Sequence, residues 1–276
     1  MTDSKSQVAK ANLFRDLHRG PKILVLPNAW DVASARILEN AGVAAIATTS
    51  AGVAFTLGYP DGQKISREEM LGVVARIAAK VKIPVSADIE AGYGSRPEDA
   101  ALTARAVIEA GAVGLNLEDG TDDRRLLDLS LQLEKIAAVR ESSRKMGVPL
   151  VLNARTDVYL LEVGQPEARF DEAVKRLTAF RDAGADCLFA PGIRDLEVIS
   201  RLVRELEFPV NILAGPGSPS IPELEKIGVA RVSLGSSTMR ATLGLLQRIA
   251  EELQTTGTYD ELEGAPSHGE VNKLLG

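Results

Sequence analysis

Two carboxylates two residues apart, Asp88 and Glu90, lie in the run Ser86-Ala87-Asp88-Ile89-Glu90-Ala91-Gly92-Tyr93-Gly94, directly after the apolar segment Ile83-Pro84-Val85. On an extended strand, residues i and i+2 face one side, so this spacing predicts two acids projecting together from a buried strand. Carboxylates held that close repel each other unless a proton or a cation sits between them. With no His or Cys nearby, an all-oxygen donor set suits Mg²⁺, or Mn²⁺, better than zinc. The competing use of such a pair is one acid in a salt bridge and the other capping the next helix. Ser95-x-x-Glu98, with Pro97 at the helix start, reads as a cap of its own, which leaves the pair free for a metal.

The elements that would position these acids follow from apolar periodicity and turn chemistry. An amphipathic helix carrying Leu13, Phe14 and Leu17 opens the chain and ends near Gly20. Short apolar strands are predicted at Ile23–Pro27, Ala44–Thr48, around Val85, Val113–Leu117, Pro149–Leu152, Cys187–Ala190, Pro209–Leu213 and Ala230–Leu234. Helices are predicted between them, including one from Ser66-x-x-Glu69 to about Lys80, and a last long one from Ser236 or Ser237 to Leu253. This alternation argues for a single (β/α)₈ TIM barrel over residues 1–276, with 255–276 as a peripheral tail ending in a helix opened by Ser267-x-x-Glu270. A doubly wound open sheet is the alternative, but no G-x-G-x-x-G follows the first strand.

Active sites of such barrels lie at the C-terminal ends of the strands. There the sequence puts Asp61, Asp88, Glu90, Glu118, Asp119 and Asp157, with Arg155 facing them, a pattern suited to a divalent cation and an anionic substrate. Thr49-Ser50-Ala51-Gly52 is predicted as a tight turn whose bare backbone could meet an anion. Gly235-Ser236-Ser237 reads as serine capping of the last helix, or as a phosphate site at its N-terminus. Trp30 is expected to pack near the rim, and His18 and His268 to lie on the surface.

The 276 residues carry a formal net charge of −6 with 45% hydrophobic and 25% charged residues, which fits a soluble globular protein and gives no basic footprint for nucleic acid. A single cysteine, Cys187, excludes an internal disulfide and suits a reducing compartment. The polar N-terminus lacks a signal-peptide core and no apolar run is long enough to span a membrane, so a cytoplasmic location is expected.

Together, Asp61 in Leu-Gly-Tyr-Pro-Asp, the run Asp-Ile-Glu-Ala-Gly-Tyr-Gly from Asp88, Asn-Leu-Glu-Asp ending at Asp119 and Asn-Ala-Arg-Thr-Asp ending at Asp157 resemble the isocitrate lyase/phosphoenolpyruvate mutase superfamily, in matching order over nearly the whole chain. The resemblance implies a barrel whose eighth helix is exchanged between subunits of a homo-oligomer, a dimer or tetramer, and Mg²⁺ holding a 2-oxo acid or its enolate. It implies Asp88 as the direct metal ligand, with Asp61, Glu90 and Glu118 holding metal-bound waters. Arg155 would steady enolate and carboxylate oxygens, and Thr49, Ser50 and Ala51 would take the substrate carboxylate. Arg155, Glu118 and Asp61 are therefore the candidate catalytic residues, and Asn211 on the seventh strand is a further candidate for substrate binding. Lyases of the superfamily carry a Lys-Lys/Arg-Cys-Gly-His gating loop, whereas here Gly120-Thr121-Asp122-Asp123-Arg124-Arg125-Leu126 has no Cys, His or Lys. Tyr93, Glu118 and Arg124 stand as candidates for the general acid and base. The resulting expectation is a Mg²⁺-dependent carbon–carbon lyase for a small 2-oxo or 2-hydroxy polycarboxylate, acting through a metal-stabilised enolate, with decarboxylation included. The alternatives are carbon–phosphorus chemistry, as a phosphonomutase or phosphonopyruvate hydrolase, and a non-catalytic 2-oxo acid binding protein.

Overall fold

The computed structural model describes residues 4–121 and 123–276. Met1, Thr2, Asp3 and Asp122, the last within the segment compared with a gating loop, lie outside the described residues. In chain order the elements are α1 (Ser4–Leu17), β1 (Leu24–Leu26), β2 (Asn28–Ala29), α2 (Val32–Asn40), β3 (Ile46–Thr48), α3 (Ser50–Thr56), α4 (Arg67–Lys80), β4 (Val85–Asp88), α5 (Pro97–Glu109) and β5 (Gly114–Glu118). They continue through α6 (Leu129–Met146), β6 (Val151–Arg155), α7 (Arg169–Asp182), β7 (Cys187–Phe189), α8 (Leu196–Leu206), β8 (Val210–Leu213), α9 (Ile221–Lys226), β9 (Arg231–Ser233), α10 (Ser237–Thr255) and α11 (His268–Leu275).

Every strand pairing is parallel, and the order runs β1-β9-β8-β7-β6-β5-β4-β3-β2. β1 and β2 are two halves of one strand, divided at Pro27, which has no N–H to give the ladder. Its carbonyl still accepts from Ala47 N–H at 3.0 Å. The first half pairs with β9 and the second with β3, so the sheet closes into a TIM barrel of eight staves. Strands such as Val151–Leu152 and Leu188 are buried on both faces, as covered parallel sheets require.

The floor of the barrel is plugged by α1. Phe14 lies so close beneath β5 that a Cβ on Gly114 would stand 2.6 Å from its ring, and Gln7 Nε2 donates to Ile108 O and Ala112 O at 2.8 and 3.0 Å. His18 is 3% exposed, against the expectation of a surface residue. It follows the last turn of α1, where the chain folds under the barrel, and burial together with Arg231 lowers its pKa to about 4.

Two capping boxes stand where the sequence put them, Ser66 with Glu69 on α4 and Ser267 with Glu270 on α11. The cap of α5 is displaced by one residue: Pro97 is its first residue, but Asp99, not Glu98, accepts from the Arg96 N–H at 3.1 Å. Ser95 therefore lies one position outside that cap. Thr49-Ser50-Ala51-Gly52 is not a free turn but the start of helix α3, with Thr49 Oγ1 accepting from Gly52 N–H at 3.3 Å. Gly52 masked this helix in the sequence. Its missing side chain is what lets α3 pack, since a Cβ there would approach Trp30 Cβ to 3.0 Å. Nor does the Ser236 side chain cap α10; just ahead of the helix, Asn28 Oδ1 accepts from Leu234 N–H and Gly235 N–H, each at 2.9 Å.

The tail returns to the barrel wall, where Arg36 Nε on α2 donates to Leu274 O at 2.9 Å. α10 behaves differently. Only Met239 of its residues is buried, and Leu243, Leu245, Leu246 and Leu253 are 37–60% exposed. Among the described residues no helix is long and apolar enough to cross a membrane.

Candidate active site

Strand alternation explains Asp88 but not Glu90. β4 ends at Asp88, and the chain then turns through left-handed backbone at Glu90 (φ 51°), Gly92 (φ 94°) and Tyr93 (φ 56°). Side chains other than glycine resist that region at roughly 1–2 kcal/mol per residue, so the turn must be held from outside. Lys135 of α6, 1% exposed, donates from Nζ to Ala91 O and Gly94 O at 3.0 and 2.8 Å. Arg67 Nη2 donates to Tyr93 O at 2.8 Å, Thr103 Oγ1 to Gly92 O at 2.8 Å, and Tyr93 N–H to Gln63 Oε1 at 2.7 Å. The two acids thus share the rim by a braced turn and not by strand period.

Asp88 is fixed through both oxygens. Its Oδ2 accepts from Ser50 N–H at 3.0 Å and Ser50 Oγ at 2.9 Å, and its Oδ1 accepts from Asn116 Nδ2 at 3.0 Å. Asn153 Nδ2 in turn donates to Asn116 Oδ1 at 2.8 Å, so the orientation of Asp88 is passed up from the barrel interior. A carboxylate has about four lone-pair sites and these bonds use three, which leaves room for a cation. Thr49, Ser50 and Ala51 line the same cavity, with Ser50 already engaged on Asp88.

Across the mouth, Arg155 Nη1 pairs with Glu118 at 2.7 Å and its Nε with Asp157 at 2.6 Å. Burial works against the guanidinium charge, but Asp157, Glu118 and Asp88 more than restore it, so Arg155 stays protonated. Its Cζ sits 5.8 Å from the Phe189 ring centre. A side chain at Gly120 would run into Asp157, so the bare backbone there is what admits the Asp157–Arg155 pair.

The remaining acids crowd one another. Glu90 accepts from Gln63 N–H at 2.6 Å, and burial, then Asp88 and Asp61, push its pKa up to about 8. Asp61 is raised by burial and by Asp88, and Glu118 is raised well above the carboxylate range by burial, against the pull of Arg155. Such a set is held most easily with a cation among it. Among the described residues, however, no three His, Cys, Asp or Glu side chains converge as direct ligands. The arrangement suits an ion that touches Asp88 and keeps most of its water, as Mg²⁺ commonly does, with Asp61, Glu90 and Glu118 available to those waters.

Two of the sequence candidates stand behind or below the cavity wall. Asp119 is fully buried behind the rim, where it accepts from Thr156 Oγ1 at 2.8 Å and Asp157 N–H at 2.9 Å and pairs with Arg176 at 3.1 Å. It braces the strand ends and does not face the cavity. Asn211 is also fully buried, donating to Ser233 Oγ at 3.0 Å below the cavity walls. Tyr93 OH reaches Glu90 Oε1 at 3.5 Å, with its pKa raised by burial, and Arg124 lines the acidic side of the mouth. Near it, Gly120 is bridged to Leu126 and Thr121 N–H donates to Arg125 O at 2.9 Å.

The mouth has two joined lobes that share Asp61, Arg155 and Leu160. One, of about 310 Å³, is rich in acids: Asp61, Glu90, Glu118 and Asp157. The other, of about 370 Å³, holds Asp61 and Asp88 but four arginines, Arg155, Arg194, Arg231 and Arg240. The last three were missed in the sequence, as was Asn116. Period two was the available signal for Asn116 and Arg231, which, like Asn153 and Asn211, stand two residues before Glu118, Ser233, Arg155 and Leu213, one layer down on the inward face; Arg194 in a loop and Arg240 on α10 carried no such signal.

Residues 14–254 match the family model described as phosphoenolpyruvate phosphomutase. A crystal structure from Burkholderia cenocepacia, provisionally described as a lyase/mutase, superposes with a TM-score of 0.91 at 40% identity, covering 98% of this chain and 96% of that one. The 2-methylisocitrate lyase of Bacillus subtilis is 26% identical over 93% of this chain and 85% of its own length. Oxaloacetate acetylhydrolase, in a structure containing the product oxalate, is similar with a TM-score of 0.86 at 26% identity over 98% and 94% of the two chains. The chain belongs to the phosphoenolpyruvate phosphomutase family, within the isocitrate lyase/phosphoenolpyruvate mutase superfamily, and is an enzyme of its lyase type.

Proposed function

We propose that the protein is a Mg²⁺-dependent carbon–carbon lyase for a small 2-oxo or 2-hydroxy polycarboxylate, with an enolate formed during cleavage. The observation that carries this reading is the pairing, across one mouth, of a triply anchored Asp88 with an ion-paired Arg155. A bound cation would supply positive charge opposite the charge that develops as the bond breaks. Asp88 would hold it, with Asp61, Glu90 and Glu118 orienting its waters. Arg155 has donors beyond the two spent on Glu118 and Asp157, and these would stabilise the enolate oxygen or the adjoining carboxylate, where preorganised charge lowers a barrier most. Thr49, Ser50 and Ala51 would shape the carboxylate end of the cavity, with Asn211 supporting it from below.

The same reading takes the protein as a cytoplasmic homo-oligomer, with the exposed leucines of α10 packed on a neighbouring subunit. Calorimetry of oxalate binding with and without Mg²⁺ tests the assignment. Wild type should bind oxalate only with the cation, and Asp88→Ala should lose that binding while keeping its fold. Equal oxalate binding by the variant would show the site to be wrongly assigned. Carbon–phosphorus chemistry is the second reading, favoured by the four arginines of the larger lobe, which would also suit a phosphonate. Turnover of phosphonopyruvate would select it.

A further inference from the structure

The least explained charge in the molecule is Arg231. It is 2% exposed, on β9, between Asn211 of β8 and Leu24 of β1, and lines the larger lobe from below. It stands two residues before Ser233, which places it about 7 Å deeper than the rim at 3.3 Å per residue. Its Nη1 approaches His18 Nε2 at 3.5 Å, while its Nε is buried with no hydrogen-bond partner. His18 Nδ1 stands 2.7 Å from Phe14 O, a carbonyl that can only accept, so Nδ1 carries the proton and Nε2 is left to accept from Arg231. His18 therefore ties the guanidinium down without neutralising it.

No carboxylate forms an ion pair with Arg231 among the described residues. The acidic groups that bear on it are the buried Cys187 thiol and Asp88, and Asp88 is engaged with Ser50 and Asn116. A buried charge without a counter-charge is among the most costly arrangements in a protein, and a buried donor without a partner adds to that cost. Ser86 Oγ, which lines the same lobe, is a second buried donor without a partner, whereas the buried, unpartnered Oδ1 of Asn211, on β8 beside Arg231, is an acceptor and offers an anion nothing. Arg155, by contrast, is matched by two carboxylates. The acid-rich side can serve a cation, and the deep side holds a positive charge that no carboxylate among the described residues pairs with.

We infer that Arg231 is the base of an anion-binding recess that takes the second carboxylate of a 2-oxo dicarboxylate whose 2-oxo acid end lies at Asp88 and Arg155. This rests on the proposed function for the placement of the reacting end, and adds the substrate's second charge and the residue that reads it. The recess selects dianionic substrates over monocarboxylates such as pyruvate. Discrimination of this kind is large, because a monocarboxylate leaves the buried guanidinium unmatched.

The test is competition calorimetry on the full-length protein with Mg²⁺, displacing oxalate with pyruvate, oxaloacetate, 2-oxoglutarate and 2-oxoadipate. At least one dicarboxylate should bind wild type about tenfold or more tighter than pyruvate, which is the loss expected when a charged hydrogen bond goes unmade. Arg231→Met and Arg231→Gln should erase that advantage, while oxalate and pyruvate affinities stay within about threefold and report an intact fold and an intact reacting end. The recess is refuted if no dicarboxylate surpasses pyruvate on wild type, a comparison that needs no variant to fold. It is equally refuted if the variants keep the preference and lose only thermal stability, since Arg231 would then serve solely to anchor His18. Failure of wild type to bind oxalate with Mg²⁺ would instead overturn the assignment of the reacting end, and the recess with it.

Discussion

At the scale of single residues, the site separates groups that carry charge from groups that only fill space. Arg155→Ala should lower kcat/KM by about 10²–10³ or more, because it removes a preorganised donor from the developing anion. Cys187 is the contrasting case: burial pushes its thiol up to about 12, so it offers no thiolate at neutral pH. Cys187→Ala should cost about 1–2 kcal/mol in packing and leave turnover near wild type. A folded but inactive Cys187→Ala, beside an Arg155→Ala that kept its rate, would reverse these roles. Glu90 makes a pH prediction. Unfolded, it ionises near 4.5; folded and without metal, near 8. Between those values the native state holds a proton that the unfolded state has released, so stability must fall as pH rises across that window. In EDTA the melting temperature should drop between about pH 5 and pH 8. Glu90→Gln should flatten the decline, and an equally steep variant would mean that Glu90 is not the group responsible.

Elements decide whether these residues meet. The sequence disclosed Asp88, Glu118 and Arg155 because each ends a strand, and in a barrel the strand ends define one rim. It could not disclose how Glu90 gets there, because period two governs only extended backbone and Glu90 lies in a left-handed turn. The same limit misplaced Asp119, whose position next to Glu118 says nothing of Arg176 waiting behind it. His18 was hidden because only the closed barrel reveals that α1 is its floor. The brace on the turn was equally invisible, since Lys135 is 41 to 44 residues from the carbonyls it binds. Lys135→Met should keep the barrel but free those carbonyls. Oxalate affinity with Mg²⁺ should fall by about tenfold, the effect of one or two lost charged hydrogen bonds, and the melting temperature should fall with it because two carbonyls lose their buried donor. An unaltered affinity would make Lys135 a structural residue only.

For the whole molecule, the unsettled surface is α10. A helix with one buried residue and four leucines at 37–60% exposure has little to hold it in isolation. Replacing Leu243 and Leu246 with Glu should convert an oligomer to monomer in light scattering, with lower stability, if that face packs on a second copy. An unchanged mass would assign the leucines no such part.

The division of the first strand at Pro27 has a consequence for how the chain is made. Leu24–Leu26 can be paired only by Arg231–Ser233, roughly two hundred residues downstream, and synthesis at roughly 5–20 residues per second puts some ten to forty seconds between them. During that interval the growing sheet has two open edges, each able to recruit a foreign strand. The final stave also brings the arginine that reaches His18 beneath the barrel. Closure of the wall and locking of the floor therefore arrive together, late in translation, and the nascent chain depends on whatever shields those edges until then.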